Sequence, residues 1–145
     1  MIYTSASIGR TFVVRFENND DFIKELENLV KKEKIKTGFF VFLGGMKKGS
    51  VVCGPKKPVI PPEPNWVSFK DAWEVFGTGS VFEGDSGPQI HIHTSAGKGV
   101  KTLTGCLRKN AEVFITVEAF VMELKGIKAK KEIDEKTGIN MLKFM

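Results

Sequence analysis

Only one stretch of this chain repeats its apolar residues at helical spacing, so the fold must be built mainly from strands. Phe22, Ile23, Leu26, Leu29 and Val30 recur at the intervals that line one face of a helix. Asp21 and Glu25 lie early in this stretch and Lys31, Lys32 and Lys34 late, which complements the helix dipole at both ends. The spacing predicts a helix that starts near Asp20 and is ended by Gly38.

Every other apolar run is short, and most are rich in β-branched or aromatic residues, as strands are. Arg10 to Phe16 precedes the helix, and Phe39 to Leu43 follows it as a run suited to a buried strand that Gly44-Gly45 breaks or bends. Gly49 to Cys53 is a further strand candidate. Five of the 6 prolines then fall between Pro55 and Pro64, which cannot supply continuous ladder hydrogen bonds and reads as a loop. Strand-like sequence resumes at Trp66 to Phe69, Ala72 to Phe76, Ser80 to Phe82, Gln89 to Thr94, Lys101 to Leu107 and Ala111 to Val121. In the last of these, alternation predicts one face formed by Val113, Ile115, Val117, Ala119 and Val121. One helix among many strands predicts an α+β fold with a mostly antiparallel sheet, and 145 residues suit a single domain over 1–145.

Composition narrows the setting. Hydrophobic residues at 41% and charged residues at 27% match soluble globular domains and disfavour disorder. Two cysteines, Cys53 and Cys106, make no disulfide framework, and Met1-Ile2-Tyr3-Thr4 does not open a signal peptide, so a reducing cytoplasmic location is expected. The longest apolar run, Phe39 to Leu43, falls far short of the roughly 18–20 residues of a membrane-crossing helix. A net charge of +5 permits attraction to nucleic acid. Of 22 basic residues, only Arg10, Arg15 and Arg108 are arginines, whereas base readers favour the arginine fork. Gly97-Lys98-Gly99 has no helix behind it and reads as a turn between strands rather than a phosphate cradle.

The chemistry is concentrated in Gln89-Ile90-His91-Ile92-His93-Thr94-Ser95, which holds both histidines of the chain. Alternation puts His91 and His93 on one strand face and Ile90 and Ile92 on the other. Such a pair offers two neutral nitrogen ligands to a metal. The turn at Ala96-Gly97-Lys98-Gly99 folds the following strand back antiparallel, so that Cys106 can supply a third ligand. Two imidazoles and a thiolate suit zinc. The same pair also suits plain polar contacts at a strand face or subunit boundary. Cys53 reads as a small buried hydrophobe.

Arg10 to Phe16, Gly38 to Met46, Trp73-Glu74-Val75, Pro88 to His93 and Thr104-Gly105-Cys106-Leu107, in this order, resemble the PPC domain, the plant and prokaryote conserved domain. The resemblance runs from about Arg10 to Lys125. Residues 126–145 lie beyond it as an extension, read as a last strand or as a segment packed on a neighbouring subunit. It implies an α+β domain that assembles as a homotrimer. It also implies a metal site, since the family carries a His-x-His strand followed by Gly-Gly-His. His91 and His93 match the first two histidines, Cys106 stands at the third, and Thr104 replaces a glycine.

Glu74 and Glu112 match acidic positions of the family and are the candidate catalytic residues. One reading makes either a general acid or base near a metal; the other makes it a paired structural acid. Two functions are expected on this basis. One is a stand-alone regulatory or DNA-associated domain. With no Arg-Gly-Arg core, its DNA binding would be weak, salt-sensitive and independent of sequence. The alternative is a zinc-dependent, lyase-like enzyme or small-molecule binder using His91, His93 and Cys106.

Overall fold

The computed structural model describes residues Met1–Met145. It contains β1 (Ser7–Glu17), α1 (Phe22–Lys32), β2 (Thr37–Pro55), β3 (Pro64–Gly84), β4 (Gly87–Lys98), β5 (Lys101–Lys125), β6 (Ala129–Asp134) and β7 (Ile139–Phe144). No helix is long and apolar enough to cross a membrane.

Asp21 caps α1 by accepting from the Lys24 amide, satisfying one of the orphan donors of the first turn. Phe22, Leu26 and Val30 face inward from the helix and are buried. The helix ends earlier than expected, at Lys32, and Lys34 turns the chain in the left-handed region at φ 53°. Gly38 therefore lies inside β2, paired with Val81 and Glu123, and does not end the helix.

The short runs of the sequence merge into long bent strands. Phe39 to Leu43 and Gly49 to Cys53 are two halves of β2, joined at Gly44-Gly45, where the pairing with β5 shifts register. Gly44 takes φ 144° there, so the glycines bend the strand without ending it. Asp71 (φ 69°) kinks β3 and Asn110 (φ 58°) kinks β5 in the same way. Ile115 departs from the expected face. It sits at φ 62° and is 66% exposed, while Val113, Val117, Ala119 and Val121 are fully buried. A local bulge opposite Gly44 and Gly45 breaks the alternation at that one residue.

The bending lets the sheet close on itself. β2 pairs with β3, β3 with β4, β4 with β5 and β5 with β2, all antiparallel. β1 adds to the far half of β5. The core fills with Phe16, Phe22, Phe40, Phe42, Met46 and the inward residues of β5, with α1 packed over it. Phe22 stacks against Phe16 and Phe42 at centroid distances of 4.9 and 4.7 Å. Residues beyond Lys125 form a hairpin, β6 with β7, and β6 docks in parallel beside Glu83 and Gly84 at the end of β3.

Candidate metal centre

β4 presents His91 and His93 because it is a regular strand with its apolar residues turned the other way. Ile92 is 2% exposed, and Ile90 packs on the core from the same side. The position of β4 depends on glycines in β3. A Cβ at Gly79 would come within 2.5 Å of the His91 carbonyl oxygen, and one at Gly77 within 2.6 Å of the Phe42 ring. Only glycine allows that approach. The turn at Gly99-Val100 returns β5 antiparallel, with Lys98 opposite Lys101 and His93 opposite Cys106.

His91 and Cys106 thus meet, with His91 Nε2 3.1 Å from Cys106 Sγ. The imidazoles of His91 and His93 stand edge to face, centroids 4.9 Å apart. The ligand atoms of His91, His93 and Cys106 all lie within 4.8 Å of one another. Around a tetrahedral zinc, with bonds of about 2.0–2.3 Å, donors stand roughly 3.3–3.6 Å apart. The three donors lie close to that spacing, and the chemistry of the set fits the metal.

The electrostatics favour a ligand state in part. Burial, followed by the charges of Lys131, His93 and Arg108, pushes His91 down to about 4, so its ring is neutral at neutral pH. Burial pushes the Cys106 thiol up, against the opposing pull of Arg108 and Lys131. Metal binding at Cys106 therefore displaces a proton. Cys53 lies outside the cluster, half-buried against the core.

The two carboxylates singled out in the sequence lie elsewhere. Glu74 is exposed on β3 opposite Gly45 and Gly97, and it lines a different cleft with Trp73 and Lys98. Glu112 pairs with Lys47 at 2.6 Å and with Lys48. Arg10 binds Glu33 and Glu123, and Arg15 binds Glu17.

Two surfaces flank the cluster. On one side His93 borders a shallow pocket of about 690 Å³ with Val41, Leu43, Phe76 and Thr78. On the other side His91 borders a polar pocket of about 280 Å³ with Arg108, Lys131 and Asn140. Lys131 was not legible as a neighbour of the cluster, because β6 docks on β3 through two residue pairs that no local sequence pattern announces. Arg108 carried a signal: it follows Cys106 by two on the same strand, hence on the same face.

A ring-closed antiparallel sheet with one covering helix and a histidine-cysteine cluster at its surface defines a small α+β domain with a candidate transition-metal site. The chain belongs to the Plants and Prokaryotes Conserved (PCC) domain family, whose model matches residues 3–125. A metal-containing protein from Archaeoglobus fulgidus has the same fold, with a TM-score of 0.86 at 24% identity over 100% of this chain and 99% of that one. A plant- and prokaryote-conserved (PPC) protein from Pyrococcus horikoshii is equally similar, at 0.85 and 25% identity over 100% and 99%. A protein from Ralstonia eutropha JMP134, provisionally described as DNA-binding, matches at 0.77 and 18% identity over 92% and 90%. No curated protein matches significantly.

Proposed function

We propose that this chain is a PCC-family domain that binds zinc through His91, His93 and Cys106. The observation that carries this reading is the convergence of all three donor atoms within 4.8 Å. The chain is similar in fold to a metal-containing protein, which supports it. His91, His93 and Cys106 would hold the zinc, which would supply Lewis acidity to a small ligand when bound. The protein's own part is to hold His91 neutral and to keep the two imidazoles on one rigid strand. The site then serves as a small-molecule or lyase-like centre.

The proposed working form is a homotrimer in a reducing cytoplasm. Val13, Phe120 and Val41 are neighbours across β1, β5 and β2, and Leu43 faces Phe76 across β2 and β3. All five are exposed, Phe76 at 66% and Val13 at 77%. A contiguous apolar face of this kind is suited to other copies of the chain. It runs up to His93 through Thr78, so assembly would bury one flank of the metal set.

A second reading, DNA association, is favoured by the net charge of +5, which a trimer triples, and by similarity in fold to proteins provisionally described as DNA-binding. Lysine-based attraction of this sort is weak, independent of sequence and steeply salt-dependent. Retention of duplex DNA at low salt by metal-free protein supports this reading. Stoichiometric zinc with no DNA affinity supports the metal reading alone.

A further inference from the structure

The pocket on the far side of His91 is cationic, and its cations lack partners. Its 8 lining residues include Arg108, Lys131, Gln89 and Asn140 but no carboxylate. Neither Arg108 nor Lys131 takes part in any of the salt bridges of the chain, although Arg10, Arg15 and many lysines do. Asp21 and Glu27 share a neighbouring cleft with Arg108, yet neither pairs with it: Asp21 caps α1 and Glu27 binds Lys31. On β6, Lys130 and Glu132 pair with each other on one face, and alternation turns Lys131 to the other. That places a half-buried lysine beside an arginine and an imidazole. Charges brought together in a concavity without counter-charges are costly, and a bound anion relieves that cost.

We propose that Arg108 and Lys131 form a binding subsite for a small carboxylate- or phosphate-bearing molecule, next to His91. Arg108 supplies the planar donor fork that suits either oxyanion, and Lys131 supplies a compact charge. Gln89 and Asn140 complete the polar wall. Asn140 Nδ2 donates to Gln89 Oε1 at 3.3 Å, tying β7 to β4. The C-terminal hairpin, which lies past the family match at residue 125, thereby gains a role: it carries Lys131 and Asn140 to the site. A volume of about 280 Å³ in a recess suits a small molecule rather than a DNA duplex. The subsite adjoins the proposed metal set but rests on its own residues.

The test is calorimetric titration of untagged, metal-free chain with malonate and, separately, with inorganic phosphate, in low-salt buffer free of either. The wild type, Arg108→Gln, Lys131→Gln and a loop control, Lys57→Gln, are compared, each checked for folding by circular dichroism. The expected result is saturable binding of at least one anion that weakens tenfold or more in Arg108→Gln and Lys131→Gln and is unchanged in Lys57→Gln. The preferred anion tells carboxylate from phosphate ligands. Absence of binding for both anions, or equal binding in all four proteins, overturns the proposal. So does weakened duplex-DNA retention in Arg108→Gln when neither small anion binds, which assigns the cations to nucleic acid. Anion binding by a protein that takes up no zinc leaves the subsite standing and removes the metal reading.

Discussion

His91 Nε2 lies 3.1 Å from Cys106 Sγ although 15 residues of chain separate them. The contact joins neighbouring strands, since His93 and Cys106 are register partners and His91 reaches the same sulfur from two residues away. Burial keeps this thiol protonated and this imidazole neutral, so the contact is a thiol–imidazole hydrogen bond in the metal-free protein.

Exchange of that sulfur for nitrogen separates the metal from its spectroscopic signature. With cobalt(II) in place of zinc, the wild type is expected to show a thiolate charge-transfer absorption in the near ultraviolet. Cys106→His should keep the metal and lose that band, while Cys106→Val should lose both. Metal uptake by Cys106→Val equal to the wild type removes Cys106 from the ligand set.

Gly79 lets β4 approach β3, and a Cβ there would meet the His91 carbonyl and the Phe40 ring. Gly79→Ala should destabilise the fold by about 1–3 kcal/mol, the usual range for overpacking a closed core. Denaturant unfolding measures this, and an unchanged midpoint contradicts the close packing described. Metal affinity should fall with it, because the strand that moves carries both histidines.

Asp21 caps the only helix through the Lys24 amide. Asp21→Ala should cost about 1 kcal/mol, as loss of an N-cap does elsewhere. Glu112→Gln, which weakens the pairs with Lys47 and Lys48, should cost less stability than loss of the helix cap and leave metal content unchanged. Thermal denaturation and metal analysis of the two variants check both statements.

Glu132 holds the C-terminal hairpin through Lys130 and through Lys143 at 2.8 Å, and these two ammonium groups draw its carboxyl down to about 2. A depressed carboxylate stabilises above its ordinary value and ceases to do so as pH falls through the depressed one. Glu132→Gln should therefore melt below the wild type near about pH 6, and the gap should close between about pH 4.5 and 2. A gap that is constant across that range contradicts the ion pairing.

The parts of the fold that depend on local period were legible in the sequence. The apolar spacing of Phe22, Leu26 and Val30 marks the helix, and the alternation through Ile90, His91, Ile92 and His93 marks the two faces of β4. Cys106 followed from one turn and one antiparallel return. Strand ends were less legible. Gly44-Gly45, Asp71 and Asn110 look like boundaries, but in each case the chain kinks or bulges and goes on in the same strand, because ladder pairing on either side outweighs the local preference. Ile115 shows the same effect in reverse, an apolar residue driven outward by a bulge in its own strand opposite Gly44-Gly45. Lys131 could not be placed beside His91 from sequence, since docking of β6 rests on tertiary packing of a hairpin at the end of β3.

The most direct test of the metal reading is elemental analysis of untagged protein purified without chelator, with mass by light scattering on the same samples. His91→Ala and Cys106→Ala are analysed alongside. The predicted result is close to one zinc per chain in a trimer, lost in both variants. A wild-type protein free of zinc, or one whose zinc survives both substitutions, contradicts the assignment of His91, His93 and Cys106 as a metal centre.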